Sequence, residues 1–277
     1  MSKRNGAKPY IDTTTPNVAR IYDYLLGGRN NFGPDRAAAE QIIKATPHVR
    51  ESARDSRAFL RRAVTQLTAK AGIRQFIDIG TGLPSQGNVH EVAQAINPDA
   101  RVAYIDNDPT VVIHARAMLA RGEGAIAILD DLRDPESVLS HPALNVQIDL
   151  DRPVALLLVA VLDFIADDKD PYGIVSRLVS ALAPGSFLVI SHATADHLLL
   201  ARADQAVQFY DTAFSRATLR SYMAVRRFFD GLRLVEPGLV DVRDWRPDEE
   251  WPGSTTRITA YGGIGQKPLL WEAASDA

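Results

Sequence analysis

From residue 75 onward, short apolar runs bounded by Gly, Pro and Asp alternate with longer stretches of helical period. Runs of four to eight apolar residues between turn formers read as buried strands, and apolar positions three and four apart read as amphipathic helices. "QFIDIG" (75–80), "RVAYID" (101–106), "AIAILD" (125–130), "PVALLLVAVL" (153–162) and "GSFLVISHA" (185–193) are the expected strands. "NVHEVAQAI" (88–96) and "PTVVIHARAMLA" (109–120) are the expected crossover helices. Strand and helix in strict succession predict βαβ units, hence a doubly wound, mostly parallel α/β sheet. A helical stretch from residue 197 interrupts the rhythm, and "LRLVEPGLVDV" (232–242) with "RITAYGGIG" (257–265) adds two more strands, making seven. Ahead of the sheet, residues 15–72 have a helical pattern punctuated by Gly27, Gly28, Gly33 and Pro34.

Composition narrows what such a chain can do. Of 277 residues, 46% are hydrophobic and 23% charged, an ordinary balance for a globular protein. No stretch approaches the roughly 20 apolar residues of a membrane span, and the first residues lack the apolar run of a secretory signal, so a cytoplasmic location without a membrane partner is expected. The absence of cysteine excludes a disulfide, a thiolate nucleophile and a cysteine zinc site. Six histidines without HExxH spacing give no support to a catalytic metal. Residues 1–75 carry 14 Lys and Arg against 6 Asp and Glu, whereas the remaining 202 carry 17 against 28. A basic front on an acidic body attracts an anionic ligand or docks the two parts together. The even total argues against a nucleic-acid partner.

The turn after the first strand carries the most chemistry. Gly80-Thr81-Gly82-Leu83-Pro84-Ser85 lacks the last glycine or alanine of the dinucleotide fingerprint GxGxxG/A, which weakens an NAD-dependent oxidoreductase reading. Asp78 two residues before Gly80 gives D-x-G-x-G, the first motif of class I S-adenosylmethionine-dependent methyltransferases. That ligand carries an ammonium group an acid can hold. Asp106 ends the second strand, 26 residues past Gly80, where a carboxylate reaches both ribose hydroxyls, with Asn107 beside it. Asp131 follows the third strand, placed for an adenine amino group with the Leu132 backbone facing the ring. A bare structural turn at Gly80 and a solvated, helix-capping acidic loop at Asp130, Asp131 and Asp134 are the alternatives.

Over nearly its whole length the chain resembles a bacterial S-adenosylmethionine-dependent methyltransferase-like family catalogued as domain of unknown function 574. The matching stretches are "PNVARIYDYLLGGRNNFGPDR" (16–36), "FIDIGTGLPSQGNVHEVAQ" (76–94), "VAYIDNDPTVVIHARAML" (102–119), "DLRDP" (131–135), "LLLVAVLDFIAD" (156–167) and "YGGIGQKP" (261–268). The resemblance implies a Rossmann-like class I methyltransferase fold binding S-adenosyl-L-methionine, with Asp78, Gly80, Thr81, Gly82, Asp106, Asn107, Asp131, Leu132 and Val161 around the cofactor. It leaves the methyl acceptor open, expected here to be a small molecule offering oxygen or nitrogen. A catalytically silent S-adenosylmethionine-binding module is the rival reading. No NPPY or DPPY follows the fourth strand, which speaks against a DNA-base acceptor.

Where the family pattern "LHF" is expected the chain has Leu162-Asp163-Phe164, which puts a histidine base in doubt. Asp163 and His192 are the candidate catalytic groups, each with a supporting structural role as its alternative. Tyr22, Asp23 and Asn31 of the front motif are expected in a lid near the reacting end, or else as core staples around a helix cap. Phe209 and Tyr210 are expected in the acceptor pocket. Arg50, Arg54, Arg57 and Arg61 fall on one helical stripe and read as a solvated flank, with an anion clasp as the alternative. The expected organisation is a flexible N-terminus (1–14), a helical cap (15–72), a core (73–268) with a helical insertion at about 196–230, and a C-terminal tail (269–277).

Overall fold

The computed structural model describes residues 12–85, 87–120, 122–196, 217–247 and 259–269. Strands β1 (Gln75–Ile79), β2 (Arg101–Asp106), β3 (Ala125–Leu129), β4 (Ala155–Val159) and β5 (Phe187–Ala193) run parallel, as the alternation predicts. β8 (Ala260–Gln266) pairs antiparallel with β5, and the spatial order is β3-β2-β1-β4-β5-β8-β6, β6 being Arg233–Leu234.

Eight strands form among the described residues where seven are expected, because the predicted strand 232–242 divides into β6 (Arg233–Leu234) and β7 (Val240–Asp241). Both pieces pair with β8: Leu234 lies opposite Gly265 and Val240 opposite Gly262, so six steps along one chain match three along the other. The surplus residues bulge out at Pro237, which has no N–H to give a ladder, and at Gly238.

Both faces of the sheet are covered, which is why β1 is buried at all five positions. Ile77, Ile79, Ile105, Leu156 and Leu158 face a core completed by Val138, Leu144, Ile174 and Leu178, from α6 (Pro135–Ser140), α7 (Pro142–Gln147) and α8 (Pro171–Ser180). Phe76, Tyr104, Leu157 and Val189 alternate to the other side. There they meet Phe59, Leu60, Ala63, Val64 and Leu67 of α3 (Val49–Ala69) and Val89 and Ala93 of α4 (Val89–Ile96). Period-two strand geometry sends Asp78 to this second face, toward α3.

The front helices α1 (Val18–Leu25) and α2 (Gly33–Ala45) contribute no residue to these two clusters. They have a small one of their own, built from Ile21, Leu25, Ala39 and Ile42 with Val49 and Ala53 of α3. α3 therefore serves both the sheet and the cap. Helix α5 (Pro109–Leu119) follows β2, and α9 (Tyr222–Arg227) is the described helix within the expected insertion. No helix is long and apolar enough to cross a membrane among the described residues.

Candidate functional site

β1 and β4 are neighbours, while the chain leaves β1 toward β2 and leaves β4 toward β5. This reversal opens a crevice at the carboxyl ends of the two strands, where open α/β sheets bind ligands. A cavity of about 310 Å³ occupies it, bordered by the β1, β2 and β3 loops, the segment after β4, and Val18, Ala19 and Tyr22 of α1.

The loop after β1 is shaped by two left-handed glycines, Gly80 at φ +74° and Gly82 at φ +67°. At Gly80 a side chain is excluded twice over, since a Cβ would also lie 2.2 Å from Val161 Cγ2. Gly82 N–H donates to Asp106 Oδ2 at 3.0 Å and Asp108 N–H donates to Asp106 Oδ1 at 2.9 Å. Each oxygen keeps a lone pair, so a diol is still accommodated. Burial pushes the Asp106 carboxyl above its ordinary range, with these two backbone donors opposing.

Asp78 is 4% exposed and borders the same cavity. Its pKa is raised to about 6, by burial first, against the lowering influence of Arg57 and of a hydrogen bond from Thr81. Arg57 enters the cavity from α3 and donates to Ser85 Oγ. No ion pair joins Arg57 to Asp78 among the described residues, so a cation and an anion face one space from separate walls. Of the arginine row, Arg50 instead lies over the Tyr24 ring at 4.8 Å and pairs with Glu40 at 3.4 Å. The solvated-flank expectation thus fails for Arg57, whose turn on the helix points it inward.

Asn107, Asp131, Leu132 and Val161 also border the cavity. The Asp131 carboxylate, chelated by the Arg133 guanidinium and reached by Asn107 Nδ2 at 3.2 Å, sits low, at about 2. Tyr22 borders the cavity while its hydroxyl donates to the Ala53 carbonyl at 3.1 Å. Burial raises that phenol to about 12, so it stays neutral.

The remaining predicted residues lie elsewhere. Asp23 accepts from Asn30 N–H (2.9 Å) and Asn31 Nδ2 (2.8 Å), and a Cβ at Gly28 would lie 2.0 Å from its Oδ1. Asp23 and Asn31 thus shape the α1–α2 turn, and neither borders the cavity. Asp163 and His192 form a buried cluster behind it. Asp163 Oδ1 accepts from Ala193 N–H at 2.7 Å and lies 3.2 Å from His192 Nδ1. His192 is fully buried; its Nδ1 donates to the Ala193 carbonyl at 2.8 Å and its Nε2 accepts from Arg220 Nη1 at 2.7 Å. Desolvation holds this imidazole below its ordinary pKa, hence neutral. Arg220, which the sequence did not single out, also donates to the Leu162 and Ile165 carbonyls and pairs with Asp167. Phe209 and Tyr210 lie outside the described residues. No metal-binding group of side chains occurs among the described residues.

Three comparisons bear on this geometry. A protein of the DUF574 family from Streptomyces avermitilis MA-4680 is 38% identical over 93% of this chain and 99% of its own, with a TM-score of 0.88. A protein from Thermobifida fusca YX is 40% identical over 93% and 97%, also at 0.88. An O-methyltransferase family protein from Burkholderia thailandensis, 15% identical over 83% of this chain and 60% of its own, shares the fold at 0.54. No curated protein matches the chain. The family model for S-adenosyl methyltransferases matches residues 4–268. The donor set fits that family's cofactor: an ammonium-seeking acid, a carboxylate with lone pairs left for a ribose, and a glycine loop between them. A doubly wound sheet with this crevice, and a family match over nearly its full length, make the chain a member of the S-adenosyl methyltransferase family, with S-adenosyl-L-methionine as its cofactor.

Proposed function

We propose that the protein transfers a methyl group to an oxygen or nitrogen of a small molecule, by in-line displacement in the cavity between the sheet and α1. The observation that carries this reading is the convergence of Asp78, Asp106 and Asp131, from three successive strand ends, on one cavity. In it, Asp106 accepts from the ribose hydroxyls, and Leu132 with Asp131 and Asn107 borders the adenine. Asp78 holds the methionine ammonium and Arg57 its carboxylate, so the two facing charges are joined by one zwitterion. Gly80, Thr81, Gly82 and Val161 form the floor. Tyr22 closes the reacting end.

The bound sulfonium supplies a methyl carbon that is already electrophilic. What the chain adds is alignment and exclusion of water, which can supply several powers of ten in rate. His192 has both ring nitrogens engaged, and Asp163 Oδ1 accepts from Ala193 N–H, which ties the segment after β4 to the end of β5. We therefore assign them to holding the segment after β4 in place, and the acceptor loses its proton to solvent or arrives without it.

Calorimetric titration with S-adenosylmethionine and separately with NAD, repeated on Asp106→Ala, tests the proposal. Binding of the first alone, weakened at least tenfold in the variant, is expected, one hydrogen bond to a charged group contributing about that much. Failure of the folded protein to bind S-adenosylmethionine would sink it. Binding without turnover across a panel of hydroxyl, carboxyl and amine acceptors would favour the silent module.

A further inference from the structure

The polar residues of the front motif have so far no function beyond shaping a turn. Three of them, Asn17, Arg20 and Asp35, belong to a hydrogen-bonded chain that leads out of the cap and ends at the cofactor site. Asp35 is fully buried and accepts from Arg20 Nε (2.8 Å), Phe32 N–H (2.8 Å) and Asn17 N–H (2.9 Å). Arg20, itself 3% exposed, also donates to the Thr15 carbonyl at 2.7 Å. Asn17 caps α1 through its Oδ1, which accepts from Arg20 N–H at 3.1 Å. Its other side-chain atom faces the body: Nδ2 donates to Asp108 Oδ2 at 2.7 Å, a bond spanning 91 residues. Asp108 caps α5 through Oδ1, and its N–H donates to Asp106 Oδ1. One hydrogen-bonded path therefore runs from the buried Arg20–Asp35 pair through Asn17 and Asp108 to the carboxylate assigned to the ribose.

Position makes this bond more than a surface tie. Val18, Ala19 and Tyr22, the residues just after Asn17, are the α1 wall of the cavity. α1 shares a small core with Val49 and Ala53 of α3 and with Ala217, and the Asn17–Asp108 bond adds a direct tie from its N-terminal end to the loop after β2. The bond is charge-assisted and only partly exposed, conditions in which a single hydrogen bond has a measurable effect.

We propose that Asn17 is a positioning residue for the cofactor: its hydrogen bond to Asp108 sets the α1 wall against the loop that carries Asp106, so that a bound ribose and a docked cap hold one another in place. The proposal rests on the cofactor site assigned above. Reciprocity follows from linkage, since whatever the docked cap contributes to cofactor binding, the cofactor contributes to docking.

Asn17→Ser keeps a good helix cap but loses the amide nitrogen that reaches Asp108. Asn17→Asp also keeps the cap, and sets a second carboxylate against Asp108. The measurements are the dissociation constant and dissociation rate of S-adenosylhomocysteine, together with the melting temperature of the ligand-free protein. For Asn17→Ser the expected result is dissociation about tenfold faster with an almost unchanged ligand-free melting temperature. Asn17→Asp should lose more, and the excess should shrink as salt is raised. Combined with Asp106→Asn, the Asn17→Ser effect should largely disappear, because it acts through that carboxylate; a merely structural role predicts additive losses. Unchanged binding in folded Asn17→Ser, or additivity in the cycle, overturns the proposal while leaving the cofactor site intact. Absence of binding by the unaltered protein overturns both.

Discussion

Asp78 is a carboxyl group that the fold makes uncomfortable. Buried against α3, with Arg57 nearby yet not paired to it, it ionises at about 6, above the 3.8 of a free aspartate. Between those values the folded, ligand-free protein holds a proton that the unfolded chain has released, so stability falls as pH rises from about 4 to about 6 and is flat above. Binding of an ammonium needs the ionised form and runs the opposite way. S-adenosylmethionine affinity measured by titration should therefore climb between pH 5 and pH 7 and level off. Asp78→Asn should bind about tenfold or more weakly with that slope gone; a slope that persists in the variant would assign the titration to another group. At this scale the acids at the strand ends were legible, because D-x-G-x-G and the 26-residue interval fix type and position locally. Arg57 and Asn17 were not. Whether one guanidinium of a four-arginine row turns toward a cleft, or one amide meets a carboxylate 91 residues away, depends on how α1 and α3 are placed, which no local pattern encodes. The burial of His192 was hidden for the same reason: its partner Arg220 comes from a distant segment.

Among the elements, β1 to β5 follow from runs of apolar residues, and α4 and α5 lie within a residue or two of their expected bounds. The one division, β6 from β7, occurs at Pro237 and Gly238, both visible in the sequence but placed inside a run whose alternation looked continuous. The glycines of β8 acquire a reason only in three dimensions. A Cβ on Gly262 would lie 2.9 Å from Val242 Cγ1 and 3.0 Å from Phe59, and one on Gly265 would lie 2.8 Å from Phe229 Cδ1 and 3.0 Å from Leu232 Cβ. Aromatic rings from both flanking layers thus press onto β8 where it carries glycine. Gly265→Ala should destabilise the protein by about 1–3 kcal/mol, the usual cost of overpacking, read from thermal or denaturant unfolding, with cofactor affinity unchanged in the folded protein. A neutral result would mean that Phe229 has room to withdraw.

For the whole molecule, the succession of strands and helices gives the class of fold, but the neighbour relations are settled by who can bury whom. β8 illustrates this. It is the last of the described strands along the chain, yet it sits inside the sheet, with β5 on one side and β6 and β7 on the other. While the chain is being made, at roughly 5–20 residues per second, β5 leaves the ribosome well before its partner and must wait with an open edge. Unpaired edges are templates for other chains. The protein therefore depends on late arrivals: a chain stopped short of residue 260 should be found mainly in the pelleted fraction after expression, however complete its cofactor loops. A soluble, ligand-binding fragment of that length would show that the edge is guarded by something other than β8. Synthesis from the N-terminus thus leaves that edge open until β8 emerges, and anything that slows translation between residues 193 and 260 should lengthen the protein's need for a chaperone.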